Sequence, residues 1–165
     1  MISVRVATPQ DAQILAAIES ASFPKAEACS LENFQKRLAV FSDCFLVLEK
    51  EGKPVGLIDG MVTDQTTITD ELYEKAELHN PAGAWQSVFG LAVIPSERHQ
   101  GLAALLMMEF IEKARSEGRR GLILTCKDSL IGFYEQFGYE CQGVSASVHG
   151  GAKWYDMILD FEKVL

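Results

Sequence analysis

The run Arg98-His99-Gln100-Gly101-Leu102-Ala103-Ala104 has the composition of an anion cradle. It follows an apolar run at 87–94 and opens a long apolar stretch. A strand that feeds a small-residue loop at a helix start presents unpaired first-turn N–H groups, and the helix dipole adds positive potential there. Gly101 and Ala103 lack bulk, so a diphosphate can approach the main chain. Arg98 adds a donor that stays charged. The same loop also serves simply to turn a chain. Cys29, Cys44, Cys126 and Cys141 have neither C-x-x-C spacing nor a paired-histidine motif. They are expected to be reduced, mostly buried thiols, with no metal site. His79, His99 and His149 are scattered.

The elements that must position this loop are punctuated clearly. Ile2 to Val6 alternates as a strand, and Thr8-Pro9 reads as a helix start running through Ile14, Leu15 and Ile18 to about Ala21. Phe23-Pro24 breaks that helix. Ser30 opens a second, carrying Phe34, Leu38 and Val40. A hairpin follows, with Cys44–Leu48 and Val55–Val62 joined through Glu51-Gly52-Lys53-Pro54. Residues 64 to 84 form a polar insert with a helical turn or two within 70–78. Such length hints at a functional loop. Trp85–Ile94 is a strand with Gly90 inside it, a mark of a bulge or a close backbone approach. Gln100–Ser116 is a helix, apolar nearly all round from Leu102 to Met108. A strand at 120–126, a short helix at 129–137 and a final strand pair, 139–148 and 153–161, complete the chain. The order β-α-α-β-β-β-α-β-α-β-β implies a mixed α/β sheet with helices on both faces.

Composition bounds the function. The 165 residues suggest a single domain, 1–165, and 48% hydrophobic with 23% charged residues suffice for a core. A net charge of −8 argues against nucleic acid and anionic membrane surfaces as partners, and it suits a cationic substrate. Arg5, Asp11 and Glu19 interrupt any secretory apolar region, and no run is long enough to span a bilayer, so a cytoplasmic location is expected.

The pattern resembles the GNAT N-acetyltransferase superfamily. Arg98-His99-Gln100-Gly101-Leu102-Ala103 fits its Q/R-x-x-G-x-G/A loop, and Phe133-Tyr134-Glu135-Gln136-Phe137-Gly138-Tyr139 fits its aromatic pair before the last strands. Within the superfamily the chain is most similar to the arylalkylamine (serotonin) N-acetyltransferases. That likeness includes Phe23–Ala28, Ile68–Leu72, Leu78–Gly83, Leu91-Ala92-Val93 and Thr125–Leu130. It implies a sheet of six to seven mixed, mostly antiparallel strands with about four helices. It also implies acetyl-CoA as cosubstrate, a small primary amine as acceptor, no metal, and a possible homodimer through the last strands. Protein or peptide N-acetylation, and a CoA-binding regulatory module with weakened catalysis, remain as alternatives.

The resemblance also suggests roles. Leu91, Ala92 and Val93 would address the pantetheine arm, with the main chain of Leu91 and Val93 acting as an added strand does. Arg98 to Ala104 would hold the pyrophosphate. The Phe89-Gly90 bulge would aim an N–H at the thioester oxygen. Tyr134 would be the general acid toward the departing thiolate. Vertebrate relatives relay the amine proton through two histidines where this chain has Ser87 and Phe89, so that relay is not carried over. Insect relatives place a glutamate in the segment matching Phe23 to Glu27. Glu27 is therefore a candidate base, and equally a cation-binding or merely solvated carboxylate. His79 could join a proton path, His99 could offer an N–H to phosphate, and His149 is expected to be exposed. Asp64, Asp70, Glu71, Glu74 and Glu77 could steer a cation. Trp85, Phe23 and Trp154 could wall an aromatic pocket, although each also suits a core. Cys126 fits a buried strand position.

Overall fold

The computed structural model describes residues 1–163; the last two positions of the expected 1–165 domain lie outside the described residues. In chain order the elements are β1 (Ile2–Val6), α1 (Ala12–Ser22), α2 (Leu31–Phe41), β2 (Phe45–Lys50), β3 (Lys53–Asp59), β4 (Val62–Thr63), α3 (Asp70–Glu74), β5 (Trp85–Val88), β6 (Gly90–Val93), α4 (Leu102–Ser116), β7 (Gly121–Cys126), α5 (Ile131–Glu135), β8 (Glu140–Val144) and β9 (Tyr155–Asp160). They form two compact units. One comprises Met1–Gly60 with Gly90–Phe110, the other Met61–Phe89 with the chain from Ile111.

The first unit is built on an antiparallel sheet in the order β1-β2-β3-β6. Thr8 and Asp11 cap a 3-10 turn at Pro9–Asp11 that leads into α1, with the Thr8 N–H donating to Asp11 Oδ2 at 2.8 Å. Asp11 also accepts two N–H groups from Arg5, at 2.8 and 2.9 Å, and that hydrogen bonding holds its carboxyl below the usual range. The Ser30 hydroxyl accepts from the Asn33 N–H at 3.2 Å and caps α2. Replacing Ser30 by alanine is expected to cost about 1 kcal/mol, read as a lowered urea midpoint. Phe34, Phe41 and Phe45 are fully buried, with ring centroids 6.1 and 5.8 Å apart in the pairs 34–45 and 41–45. Phe41, not Val40, completes the apolar face of α2, since Val40 is 48% exposed. Burying Phe34 and Leu38 fixes the helix phase, and the position three after Leu38 then points inward.

The second unit carries a mixed sheet in the order β4-β5-β7-β9-β8, in which β5 and β7 run parallel. Among the described residues, nine strands in two sheets of four and five, with five α-helices, realise the expected mixed α/β class. There are more strands than the six to seven expected because two of the expected strands each divide between the sheets. The expected return strand Val55–Val62 is two strands in different sheets, because pairing with β2 ends at Asp59 and Val62 pairs with Gln86. The expected strand Trp85–Ile94 likewise parts at Phe89: Val88 pairs with Leu124 on β7, whereas Gly90 pairs with Asp59 on β3. The last strands are shorter than expected, since a 3-10 turn at His149–Gly151 occupies the chain between β8 and β9. On α4, Leu106, Met107 and Phe110 are fully buried but Met108 is 52% exposed, so one side of this helix faces solvent. Among the described residues, no helix is long and apolar enough to cross a membrane.

Candidate active site

In the first unit, β6 is an edge strand of its sheet. The Ile94 N–H donates to the Val55 carbonyl at 2.9 Å, so the two-residue alternation turns the amides of Ala92 and Gly90 toward β3 and those of Leu91 and Val93 outward. The Val93 carbonyl confirms this direction, because it accepts from Arg98 Nε at 3.2 Å. Leu91 and Val93 thus present the main chain of an edge, whereas Ala92 fills a buried core position.

The loop after β6 makes a 3-10 turn at Pro95–Glu97 and runs through Arg98, His99 and Gln100 to α4. His99 and Gly101 have φ of +65° and +76°, so the chain turns left-handed twice before the helix begins. Nothing lies within 4 Å of where a Cβ on Gly101 would stand, which leaves that side open to a ligand. The loop is braced from β2. Lys50 Nζ bonds Glu97 at 2.7 Å and the Gln100 amide oxygen at 3.2 Å, and Gln100 Nε2 donates to Glu97 at 3.0 Å. The Gln100 side chain and Arg98 Nε are therefore engaged in shaping the loop. Leu102 is buried and Ala103 and Ala104 are half-buried in the first turn of α4.

A buried charge cluster lies in the same unit. Glu19 on α1 is 3% exposed, Asp59 at the end of β3 is fully buried, and Arg37 on α2 is 6% exposed. Arg37 Nη1 donates to Asp59 Oδ2 at 3.1 Å, and the Cys29 N–H donates to Glu19 Oε2. Asp59 Oδ1 has no hydrogen-bond partner among the described residues. Gly90 explains its own identity here: a Cβ on it would stand 2.6 Å from Glu19 Oε1 and 3.2 Å from Asp59 Oδ1. Burial, and then the neighbouring Asp59 charge, push the Glu19 carboxyl up to about 7. Burial also pushes Asp59 up to about 6, with Arg37 opposing it. The Cys29 thiol is pushed up to about 12 by burial. The one available signal was periodic: Glu19 falls on the Leu15-Ile18-Ser22 stripe of α1, and Arg37 lies among Phe34, Leu38 and Phe41. Glu27 lies half-buried in the turn between α1 and α2, its N–H bonded to the Pro24 carbonyl at 2.9 Å.

In the second unit, Tyr134 on α5 is 8% exposed, edge-on to Phe133 at 5.1 Å and to Tyr139 at 5.8 Å between ring centroids. Burial raises its phenol above the usual tyrosine range. Ser87 is fully buried, its N–H and hydroxyl donating to the Met61 carbonyl at 2.9 and 2.8 Å, so it is a structural clip. The Phe89 ring packs on Tyr73 at 5.0 Å. His79 Nδ1 accepts the Val62 N–H at 3.0 Å, which ties the insert to β4. His149 is half-buried rather than exposed, because it stacks on Tyr73 at 4.9 Å and 16°. Trp154 donates from Nε1 to the His149 carbonyl at 2.8 Å. Tyr73 in turn shares a 2.7 Å hydrogen bond with Thr125. Asp70 accepts from the Ser147 hydroxyl and the Val148 N–H, and Asp64 accepts from Asn80 and the Ala84 N–H, so two of the five insert acids hold structure. Trp85 is 7% exposed beside Gly121 and belongs to the core, not to a pocket wall. Cys126 is buried as expected, and burial pushes its thiol up to about 11, while Cys141 is exposed.

Residues 12–139 match the acetyltransferase (GNAT) family, and the chain belongs to that family. Among curated proteins it is 29% identical over 157 residues to serotonin N-acetyltransferase of Mesocricetus auratus, covering 93% of this chain and 74% of that one. The fold is that of the GphF GNAT-like decarboxylase in complex with isobutyryl-CoA, with TM-score 0.83, 21% identity, and 96% and 98% of the two chains covered. A GNAT acetyltransferase from Brucella melitensis in complex with acetyl-CoA shares the fold at TM-score 0.64 and 18% identity over 98% of this chain and 88% of that one.

Proposed function

We propose that this chain, as one catalytic domain spanning 1–165, transfers an acetyl group from acetyl-CoA directly to a small primary amine of the arylalkylamine or polyamine kind. The observation that carries the proposal is the left-handed turn at Gly101, open on its Cβ side and set at the start of a 15-residue helix directly after an edge strand. A diphosphate suits the first-turn amides of that helix, and Arg98 to Ala104 supply the loop. The outward amides of Leu91 and Val93 suit an amide-bearing arm that adds to the edge as a strand does. Acetyl-CoA supplies the acetyl group as a thioester. The acid proposed for its sulfur is Tyr134, whose phenol is kept protonated by burial. Glu27, half-buried in its turn, is the carboxylate proposed to receive the ammonium as it arrives. The relation to serotonin N-acetyltransferase supports a small amine over a peptide as acceptor.

The test pairs binding with turnover. Calorimetry with CoA is expected to give a Kd that weakens more than about tenfold in Gly101→Trp, because an indole at that open position occupies the space for the phosphates. Free-thiol release with acetyl-CoA is then read against tryptamine, phenethylamine, spermidine and peptides. Turnover of one of the small amines is expected. Activity on peptides alone moves the chain to protein acetylation, and tight CoA binding with no turnover makes it a regulatory module.

A further inference from the structure

Deprotonating the acceptor is the step for which the relay positions, Ser87 and Phe89, carry no imidazole, and Ser87 is consumed by the Met61 carbonyl. The residue directly after them does have a proton acceptor over it. Gly90 opens β6, and Glu19 Oε1 from α1 and Asp59 Oδ1 from β3 pack directly against it, where a Cβ would meet them at 2.6 and 3.2 Å. We propose that Glu19, backed by Asp59, is the proton acceptor of acetyl transfer, taking the proton of the acceptor ammonium directly or across one water. This rests on the acetyltransferase reading above and names the base of the same reaction.

The ionisable groups facing Glu19 have distinct parts. Arg37 donates to Asp59 Oδ2, and its charge opposes the upward shift of both carboxyls. The Cys29 N–H fixes Glu19 Oε2, which leaves Oε1 as the oxygen turned to Gly90. The Cys29 thiol stays protonated and adds no charge. Asp59 Oδ1, buried and without a hydrogen-bond partner among the described residues, lies against the same face of Gly90 as Oε1, so a proton arriving on Glu19 has an acceptor beside it. Gly90 is required because any Cβ would displace Oε1. Burial, and then the like charge of Asp59, push Glu19 up to about 7, where a carboxylate serves best as a base. In the step itself an ammonium N–H bond breaks and a Glu19 O–H bond forms. The electron pair left on nitrogen forms the N–C bond to the thioester carbon. As the adduct collapses, the C–S bond breaks with its pair leaving on sulfur, which takes a proton from Tyr134. The second proton shed by nitrogen restores Tyr134 through water. The proton on Glu19 returns to water before the next turnover.

The experiment is a pH profile of kcat/KM on purified full-length protein with acetyl-CoA and two amines. One is an ordinary primary amine that is an ammonium at neutral pH. The other is a weakly basic amine already neutral there. Wild type is expected to show a limb near pH 7 that Glu19→Gln abolishes. The variant should lose about 10²-fold on the ordinary amine while staying within about threefold of wild type on the weakly basic one and keeping its CoA affinity. Glu27→Gln should raise KM for the ordinary amine and leave the limb in place. Should Glu19→Gln fail to fold, Asp59→Asn removes the like charge, and the limb should then move to lower pH. A limb unmoved by either variant, or equal losses on both amines, overturns the assignment while leaving the acetyltransferase reading standing. Absence of any acetyl transfer by wild type overturns both.

Discussion

Replacing Tyr134 by phenylalanine is expected to lower kcat for acetyl transfer about 10²-fold, the range typical for losing one positioned proton donor. Its effect on CoA affinity and melting temperature is expected to be small. The packing argument is specific: the ring sits edge-on to both Phe133 and Tyr139, and phenylalanine keeps both contacts. Only the hydroxyl is lost. Burial raises that hydroxyl above the usual tyrosine range, which favours the protonated form that the proposed acid role requires. A thiolate leaving without a proton donor slows the breakdown of the tetrahedral adduct, so the loss falls on kcat rather than on the Kd for CoA. Steady-state thiol release, set beside calorimetric CoA binding, separates the two. Unchanged turnover in the variant removes the acid from Tyr134, and equal losses in binding and turnover make it a packing residue.

Much of the cradle was legible because it is local. A strand, a left-handed glycine and a helix start lie within twenty residues, and each has its own punctuation. Thr8-Pro9, Ser30 and Glu51-Gly52 marked their turns for the same reason: the signal and the structure are neighbours in sequence. Apart from the phase of α2 at Val40 and the turn at His149–Gly151, the places where the reading failed are long-range. Inside Val55–Val62 the Asp59-Gly60 pair could have marked the break, but it does not say that the chain then changes sheet, since Ile58 and Val62 are equally apolar and equally buried. The parting at Phe89 is set by which partner each flank finds, Leu124 for Val88 and Asp59 for Gly90. Gly90 itself was readable as a close approach, but not what approaches it. The answer, two carboxylates from α1 and β3, needs contacts spanning 71 and 31 positions. Arg37 and Asp59 are likewise 22 residues apart, and each alone reads as a charge misplaced in an apolar run.

The largest stability effect is expected from Arg37→Met, about 3–5 kcal/mol at alkaline pH, because methionine keeps much of the volume but leaves buried carboxylates without a counter-charge. The pH dependence follows from the direction of the shifts. Burial holds Glu19 and Asp59 above the usual carboxylate range in the folded chain, to about 7 and about 6. Between the ordinary carboxylate range and those values the folded state binds more protons than the unfolded state. The stability from these groups is therefore complete below the unfolded values and is lost as pH rises through about 6 and 7. Arg37 opposes both shifts, so removing it steepens the decline. Urea midpoints at about pH 5 and about pH 8 should show the variant nearer to wild type in acid, where the carboxyls protonate, and far below it in base. A cost that is equal at both, or greater in acid, would mean that Arg37 acts through packing alone. The charged state that costs stability in base is also the state able to accept a proton. A carboxylate poised near neutrality has to be held where its charge is disfavoured, and in this unit Arg37 is the residue that makes such a position tolerable.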